Sequence, residues 1–495
     1  MKFGVQMQTF GASNRCLTIK TKKEMKKILF LVAAVVSMVF TACIKEELNV
    51  NENAPVGSIE FTASFDAETK TILNSGRTEW VKGDEISING VKFTANASGA
   101  SVKFTNAETP QGEFKAPFKA VYPYSSELPA TQTVKNGTFA DKSVVSVAYI
   151  EGNDENNLTF KHVSSVIKFQ VATEGVTELV FSSSKDLAGK IIVDKYASYS
   201  VSDGSKTITV KPENGTFSTS EIYYVSVLPT LGTDNQDFAI QTEGVTVKSG
   251  NVKFVRNTIA DAKSIEVKYT YMRPSLVWNI ANPRYAAYFF ADGNKEVWVD
   301  MNDGDKDGIY RAVVPEGFST VVYCRMDPGK EANNWENRWN QTGNINVNIG
   351  NVCMIKPLIW DNGENSTWYS LDYAKTYREN VVYLKPNSNW KQSNAWFAAY
   401  LCNGSKGTKW LKMESVDGTF YGVELPSDFN ATNYKNIIFV RMDSGKTALD
   451  WGSKWNQSGD LACTNMTNSP YNRCCAINSG QWECGSNVTW TTTLK

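Results

Sequence analysis

The chain has 495 residues, which is long enough for several domains, and its 51 lysine and arginine residues balance 51 aspartate and glutamate residues. This balance, with no basic run beyond the N-terminus, excludes a surface that follows nucleic-acid phosphates, so no nucleic-acid partner is predicted. The one histidine, His162, has no second histidine or cysteine near it in sequence, which excludes most zinc and nucleophilic-triad chemistry. We predict no cofactor.

Residues 25–42 have the features of a signal peptide: a basic start, a short apolar core, and small residues before Cys43. The apolar core is too short to remain in a membrane as a spanning helix. Residues 1–24 are therefore interpreted as a mis-assigned start that precedes the true one.

The residues around Cys43 predict how the protein is held at the cell surface. Thr41-Ala42-Cys43 resembles a bacterial lipobox, which implies cleavage before Cys43 and lipid attachment to it. Lys45-Glu46-Glu47 resembles the export signal of Bacteroidota surface lipoproteins. Residues 43–56 are predicted to be a lipidated tether. The expected location is the cell surface, with attachment to the outer membrane through lipid alone.

Residues 57–268 consist of short runs in which apolar and polar residues alternate, separated by Gly, Asn, Asp and Ser. Ile59-Glu-Phe61-Thr-Ala63 and Ile208-Thr-Val210 are typical of these runs. No stretch has a sustained helical period, so the pattern predicts antiparallel β-sandwiches. The length favours two of them, at residues 57–173 and 174–268.

This region resembles the fimbrillin family of Bacteroidota in the order of its short motifs. The resemblance implies two transthyretin-like β-sandwiches, and in polymerising members also assembly by donor-strand exchange. Because residues 271–495 continue where such a subunit would end, polymerisation is not predicted. The motifs are Phe61-Thr-Ala-Ser-Phe65, Trp80-Val-Lys-Gly-Asp84, Ala120-Val-Tyr122-Pro123-Tyr124, His162-Val-Ser-Ser165, Tyr223-Tyr224-Val-Ser-Val-Leu-Pro229 and Arg256-Asn257.

The rest of the chain is an internal repeat that is rich in tryptophan. Of the 14 tryptophans, only Trp80 lies before residue 271. The segment from Arg325 to Gly343 returns without a gap as the segment from Arg441 to Gly459. We predict two tandem small β-sandwich modules at residues 271–370 and 380–495, so the whole fold is predicted to be all-β.

Alternation along the strands predicts which side chains face outward. Val299 and Met301 are assigned to the core, which leaves Trp298 on the polar face, and Trp410 has the same position in the second module. In the strand that follows, Tyr323 and Arg325 are expected to face outward. Phe439 and Arg441 repeat this pattern.

Exposed indole rings next to amide and guanidinium groups suit an oligosaccharide, because sugar rings offer flat C–H faces and many hydroxyls. An alternative for Trp335 and Trp339 is that they form a single helical turn that closes the sandwich. The candidate carbohydrate-binding residues are Tyr288, Trp298, Arg325, Trp335, Trp339, Asn340 and Gln341 in the first module, and Tyr400, Trp410, Arg441, Trp451, Trp455, Asn456 and Gln457 in the second.

With its two copies, the region also resembles the small starch-binding β-sandwich modules that are appended to amylases and to α-glucan-capturing lipoproteins. The resemblance rests on Val382-Tyr-Leu-Lys-Pro-Asn-Ser-Asn389-Trp390, on Ala398-Ala-Tyr400, and on Trp410 ahead of Asp417-Gly418. It implies a starch-like α-glucan as the ligand. The first module lacks, before Trp278, the Lys-Pro-Asn-Ser-Asn segment that precedes Trp390 in the second module. Two weak sites on one chain would gain avidity on a polymer.

The predicted function is that of a cell-surface lipoprotein that binds a glycan through its tandem modules. The alternative is a fimbrial tip or accessory subunit that acts as an adhesin or a structural component, with other fimbrial subunits as partners. The acidic residues lie scattered at turns, without the pair of carboxylates flanking a cleft that glycoside hydrolysis needs. The chain is therefore not predicted to be an enzyme.

Two further patterns concern metals and thiols. Asp303, Asp305 and Asp307 match the start of a calcium loop, but Val314 stands where a bidentate Glu would be expected. A hairpin turn is favoured, no metal site is predicted, and calcium at these three residues stays an open alternative. Seven cysteines lie in the tryptophan-rich region; the last four allow one or two disulfides, whereas Cys324 is expected to be a buried thiol.

Overall fold

A computed structural model describes residues 59–66, 79–106, 110, 113–293, 295–361, 363 and 367–495. The interpreted mis-assigned start (1–24), the signal peptide (25–42), the lipidation site Cys43 and the tether (43–56) lie outside the described residues. Within the described ranges, the helices are all too short or too polar to cross a membrane. The prediction of an all-β fold is confirmed, since strands make up 49% and helices 5% of the structure.

The first domain is a closed sheet of seven strands around an aromatic core. Its strand order is β1-β4-β3-β2-β5-β8-β9, and the ring closes because β9 pairs in parallel with β1. Trp80 is 1% exposed and stacks on Phe65 with ring centroids 4.3 Å apart. The strands up to β9 are β1 (Glu60–Phe65), β2 (Glu85–Ile88), β3 (Val91–Ala95), β4 (Ser101–Thr105), β5 (Phe118–Tyr122), β6 (Glu127–Leu128), β7 (Thr131–Val134), β8 (Ser146–Ile150) and β9 (Asn157–His162).

The second domain has three sheets, of orders β15-β10-β18, β17-β16-β11-β14-β7 and β13-β12-β6. Its own strands are β10 (Ser165–Val171), β11 (Leu179–Ser183), β12 (Ala188–Val193), β13 (Tyr199–Ser205), β14 (Thr207–Pro212), β15 (Tyr223–Val227), β16 (Gln236–Thr242), β17 (Val245–Val252) and β18 (Ile259–Ile265).

The boundary between these two domains differs from the predicted one at residues 173–174. Strand β10 pairs only with β15 and β18, so the second domain begins at Ser165. It also takes β6 and β7 from the connection between β5 and β8, since β7 pairs in parallel with β14 and β6 pairs with β12. The side chain of Gln132 on β7 fixes this crossing, because its amide donates to the carbonyl oxygen of Ser226 at 2.7 Å.

The first module, which we call module 1, has nine strands in two sheets, of orders β22-β19-β26-β27 and β21-β20-β23-β24, with β25 on β23. It packs against the second domain, where Arg311 forms an ion pair with Glu243 at 3.0 Å. Its strands are β19 (Tyr269–Arg273), β20 (Arg284–Ala291), β21 (Lys295–Met301), β22 (Tyr310–Val313), β23 (Thr320–Met326), β24 (Arg338–Gln341), β25 (Ile345–Asn346), β26 (Asn351–Met354) and β27 (Thr367–Ser370).

Module 2 repeats the nine strands one for one after helix α1 (Leu371–Thr376). Here β30 pairs with both β29 and β31, so the two layers join into one nine-stranded sheet. The elements are β28 (Val381–Lys385), β29 (Trp396–Gly404), β30 (Gly407–Ser415), β31 (Tyr421–Glu424), β32 (Asn436–Met442), β33 (Lys454–Gln457), β34 (Leu461–Ala462), helix α2 (Thr464–Thr467), β35 (Cys474–Ile477) and β36 (Val488–Thr491).

A small apolar core joins the two modules, and a buried carboxylate lies beside it. Val277 of module 1 packs with Tyr383 of module 2 in this core. The Glu379 carboxylate accepts hydrogen bonds from the backbone N–H of Leu276 at 2.6 Å and from the Tyr383 hydroxyl at 3.1 Å. Burial raises the pKa of Glu379 to about 7, although its hydrogen bonds and two nearby arginines act in the opposite direction.

The raised pKa of Glu379 predicts that the free energy of unfolding falls as the pH rises from 4.5 to about 7. In that window the folded state binds more protons than the unfolded state, and above it the contribution is constant. The fall attributable to this residue is at most about 3 kcal/mol. Urea unfolding of the wild type and of Glu379→Gln at pH 5 and pH 8 measures the contribution of Glu379 to this fall. Equal pH dependence in the two proteins would contradict the assignment.

Candidate functional site

Each module carries three aromatic rings in mutual contact, in which the outer tryptophan meets the other two edge to face. In module 1 they form aromatic cluster 1 (Tyr288, Trp298 and Trp335), with ring centroids 4.6, 4.8 and 4.9 Å apart. In module 2 they form aromatic cluster 2 (Tyr400, Trp410 and Trp451), with centroids 4.7, 4.8 and 4.8 Å apart. The structure thus brings six of the fourteen candidate residues together as two matching groups.

Strand register explains two of the three rings in each cluster. Tyr288 on β20 stands directly opposite Trp298 on β21, and Tyr400 on β29 stands opposite Trp410 on β30. Such cross-strand pairs lie side by side on one face of the sheet. Val299 points to the other face and enters the main core, because successive residues of a strand alternate.

The third ring comes from a loop that folds back over the sheet. In module 1 the loop is held by Arg284, whose Nε donates to the carbonyl oxygen of Asp327 at 3.2 Å. In module 2 the indole nitrogen of Trp396 takes this role and donates to Asp443 at 2.9 Å. Different donors reach equivalent carbonyl groups, so the loop position is retained although the side chain changes.

The clusters are open to solvent on their outer side. Trp335 is 43% exposed and Trp451 is 41% exposed, whereas Trp298 and Trp410 are half-buried beneath them. The alternative in which Trp335 and Trp339 form a single helical turn is wrong, because Trp335 lies in a bend and Trp339 lies in β24. In module 2, Trp451 begins a short 3₁₀ turn.

A depression of about 510 Å³ adjoins cluster 1 and provides polar groups beside the rings. Its walls include Tyr288 and Trp335, and its rim includes Lys295, Glu296 and Asn344. The Tyr288 hydroxyl donates a hydrogen bond to Glu296, and this bond, with a smaller effect of burial, raises the pKa of Tyr288 to about 12. The hydroxyl therefore stays protonated at neutral pH.

The rim differs between the two modules although the rings do not. By strand register, Cys402 takes the place of Phe290 and Thr408 takes the place of Glu296. Module 2 therefore lacks the carboxylate that borders cluster 1. The ring geometry is common to both modules, and the surrounding polar groups are specific to each.

The prediction that Tyr323, Arg325, Phe439 and Arg441 face outward is wrong. Tyr323 and Phe439 are 0% exposed and lie in the main cores, and both arginines are 5% exposed. Tyr323 and Arg325 lie on the face that points to the sandwich interior, and Val322, Cys324 and Met326 lie on the opposite face, beneath Tyr288 and Trp298 and the returning loop. Alternation assigns a solvent face only where one face is open.

Each buried arginine is fixed by stacking and by hydrogen bonds. The Arg325 guanidinium lies between the Trp339 and Trp360 rings, at 4.5 and 5.0 Å, and its Nε donates to the carbonyl oxygen of Trp278 at 2.7 Å. A second donor, Nη2, bonds the carbonyl oxygen of Ile280. The planar guanidinium is stacked on two indoles and its Nε, Nη1 and Nη2 all donate hydrogen bonds within the protein.

The same arrangement is present in module 2. Arg441 lies 4.5 Å from the Trp455 ring and 5.2 Å from the Trp482 ring. Its Nε donates to Trp390 at 2.9 Å and its Nη2 donates to Gln392 at 2.7 Å, in both cases to the carbonyl oxygen. The two arginines are therefore structural in both modules.

The predicted amide ligands are engaged inside the protein as well. Asn340 accepts a hydrogen bond from Arg325 at 3.2 Å, and Asn456 accepts one from Arg441 at 3.1 Å. Gln341 accepts one from Arg338. Gln457 accepts one from Lys454 at 2.9 Å. Asn340 and Asn456 position the arginine stacks. Gln341 and Gln457 instead hold Arg338 and Lys454, whose cations lie 5.5 and 5.9 Å from the rings of Trp335 and Trp451, and Gln341 also lines the depression beside cluster 1.

Sequence reasoning did not single out Trp360 and Trp482, which complete the two arginine stacks. Both were visible in the repeat, since Trp360-Asp-Asn-Gly363 aligns with Trp482-Glu-Cys-Gly485. Their surroundings differ. The Trp360 indole N–H donates to the Val416 carbonyl oxygen of module 2 at 2.8 Å, whereas Trp482 is 42% exposed.

The remaining chemical motifs have structural partners. His162 is buried and its Nδ1 lies 2.7 Å from the Ser146 hydroxyl, while burial, with a smaller effect of Arg256, lowers its pKa to about 4. The Asp303 carboxylate accepts hydrogen bonds from the backbone N–H groups of Asp307 and Gly308, as in a tight turn. Seven cysteines of the modules, Cys324 among them, are buried free thiols.

No protein-family model and no curated protein matches the chain. Similar solved structures include a candidate cell adhesion protein from Bacteroides uniformis, at 16% identity and a TM-score of 0.26, which covers 43% of this chain and 94% of its own. A fimbrial assembly protein from Parabacteroides distasonis is 12% identical, with a TM-score of 0.21 and coverages of 52% and 99%. The pneumococcal glycogen-degrading virulence factor SpuA is 10% identical, with a TM-score of 0.14 and coverages of 58% and 37%. At these values the similarity specifies no function.

Proposed function

We propose that this chain is a cell-surface carbohydrate-binding protein that holds a starch-like α-glucan on aromatic clusters 1 and 2. The observation that carries the proposal is the duplicated ring geometry. The three centroid separations agree within 0.2 Å between the modules, while neighbouring positions such as Glu296 and Thr408 have changed. Within this chain, the rings are a part of the outer surface that both copies retain.

The chemistry of the clusters suits a sugar ring. The outer indoles, Trp335 and Trp451, present large apolar faces to water, and the inner Tyr and Trp rings hold them at a fixed angle. The C–H face of a glucose unit removes this apolar surface from water, and rigid rings lose little conformational entropy on binding. Lys295, Glu296 and Asn344 border cluster 1 and offer hydrogen-bond partners to sugar hydroxyls.

The role of the rest of the chain follows from its order. Lipid attachment at Cys43 anchors the protein in the outer membrane at the cell surface. The tether and the two β-rich domains, which we take to be fimbrillin-like, form a stalk that carries the modules away from the membrane. A stalk of this kind gives both clusters access to a polymer outside the cell.

Retention of the full chain on insoluble starch tests the proposal. We expect the wild type to sediment with starch and the double variant Trp335→Ala with Trp451→Ala to remain in solution, because each variant removes the exposed ring of a cluster. Tyr373→Ala removes a ring that is 46% exposed on helix α1 and serves as the matched control, with wild-type retention expected. Absence of wild-type binding to any α-glucan would remove the proposal.

The alternative is a fimbrial tip or accessory subunit whose modules contact another protein. The fimbrillin-like motifs ahead of the modules favour it. On this reading the exposed rings would be anchors in a protein–protein interface, where tryptophan and tyrosine are enriched. Capture of fimbrial subunits by the full chain, with no retention on starch, would favour this alternative.

A further inference from the structure

A cavity of about 400 Å³ lies where module 1, module 2 and the linker between them (residues 371–379) meet, away from both aromatic clusters. Module 1 contributes Arg273 and Met354 to its wall. The linker contributes Arg378 and Glu379, and module 2 contributes Tyr471. All three parts of the fold are needed to form it.

Three arginines lie at the cavity, and the carboxylates that interact with them are Glu379 and, at Arg273, also Asp307. Arg273 and Arg378 line it, and Arg473 lies close enough to interact with both Arg378 and Glu379. The ion pairs of arginine among the described residues involve Arg284 and Arg311, not these three. A partly buried guanidinium without a counterion is costly, so binding an anion between these side chains would be favourable.

The arginine side chains are held in place by groups that leave their charge uncompensated. Arg378 donates to the carbonyl oxygen of Tyr377 at 2.7 Å, and Arg473 donates to that of Met466 at 2.8 Å. Arg273 donates to the Ala374 carbonyl oxygen.

Tyrosine rings stack on the same arginines. Tyr377 lies 5.7 Å from Arg273, and Tyr471 lies 5.1 Å from Arg378 and 5.9 Å from Arg473. These contacts orient the guanidinium planes without supplying a negative charge.

Glu379 is the one carboxylate among the described residues that line the cavity. Its two hydrogen bonds, from Leu276 and Tyr383, point it into the junction between the modules. Because burial raises its pKa to about 7, it carries only part of a charge at neutral pH. It therefore compensates at most one of the three arginines.

We propose that this cavity binds a small oxyanion, a carboxylate, sulfate or phosphate group, between Arg273 and Arg378. The planar guanidinium fork matches the paired oxygens of such a group and donates two parallel hydrogen bonds to it. The volume accommodates a charged sugar residue as well as an inorganic ion. The site is independent of the aromatic clusters and of the glycan proposed for them.

Titration calorimetry of the full chain at pH 6 tests the proposal, with sodium sulfate, glucuronate and glucose as probes at constant ionic strength. We expect sulfate or glucuronate to bind and glucose not to bind. Tighter binding of glucuronate than of sulfate assigns the site to an acidic saccharide, and the reverse assigns it to an inorganic anion. No heat from either anion at millimolar concentration would overturn the proposal.

Variants separate the site from other cations on the surface. Arg378→Gln replaces an exposed side chain and is expected to weaken anion binding at least about tenfold while leaving the unfolding midpoint unchanged. Arg311→Gln, which removes an arginine outside the cavity, is expected to bind as the wild type does. Equal affinity in Arg378→Gln and the wild type would overturn the assignment. Trp335→Ala with Trp451→Ala leaves this site intact, so failure here and failure of starch binding are distinguishable.

The pH dependence gives a second readout. Glu379 faces Arg273 and Arg473, Tyr383 and the Leu276 N–H, with Arg378 and Tyr377 nearby. Both probes keep their charge between pH 6 and pH 8. We expect binding to weaken as the pH rises through this range, because Glu379 gains charge, and Glu379→Gln to remove this dependence. A dependence that survives in Glu379→Gln would contradict the role given to the carboxylate.

Discussion

Replacing Arg325 with glutamine should lower the free energy of unfolding of module 1 by about 3 kcal/mol or more. The substitution leaves the carbonyl oxygens of Trp278 and Ile280 buried without their donor and removes the cation between two indoles. Arg441→Gln should destabilise module 2 in the same way. The Arg325 variant should also loosen the junction, because Trp360 bonds Val416 of module 2.

Urea unfolding followed by tryptophan fluorescence measures this effect selectively, because 13 of the 14 tryptophans lie in the modules. Arg311→Gln is the control, since it removes only the partly exposed ion pair with Glu243 and is expected to cost less than about 1 kcal/mol. If Arg325→Gln kept full stability and lost glycan binding, the arginine would be a ligand contact after all.

Removing one aromatic cluster should cost far more affinity for a polymer than for a short oligosaccharide. On soluble amylopectin, Trp335→Ala or Trp451→Ala alone should weaken binding about 100-fold. With one cluster left, the polymer can no longer be held at two sites at once, and the avidity is lost. On a maltooligosaccharide that reaches only one cluster, each single variant should halve the number of sites and leave the dissociation constant of the remaining site unchanged.

Calorimetry with the two ligands distinguishes these outcomes. The Tyr373→Ala control should match the wild type on both. If one single variant abolished binding to the oligosaccharide and the other had no effect, only one module would carry a site, and the different rims at Glu296 and Thr408 would be the first place to look for the reason.

Local pattern was sufficient for the fold class and for part of the site. Short alternating runs specify strands whatever their partners are, and Trp298 stands opposite Tyr288 because both lie in strands of a simple hairpin. Because the sequence repeats, the same pairing is expected for Trp410 and Tyr400 in module 2. These features depend on residues close in sequence.

Features set by distant segments could not be predicted. Arg325 is buried because its side of β23 faces the interior, where Trp278 and Trp360 cover it, and nothing in the strand itself indicates which face is the interior. The domain boundary was misplaced because β10 pairs with β18, which lies almost 90 residues later. Trp360 was left out because it lies in the connection between β26 and β27, far in sequence from Arg325 on β23, on which it stacks.

The crossing of β6 and β7 into the second domain has a mechanical consequence. The chain leaves the first domain after β5, forms β6 and β7 in the second domain, and returns to the first at β8. The two domains are therefore joined by more than one chain crossing. A pull along the chain would have to shear the parallel β7–β14 ladder before the domains came apart. A second domain produced without the first would lack the edge strands β6 and β7. The edge of β14 would then be unpaired and prone to pair with another chain.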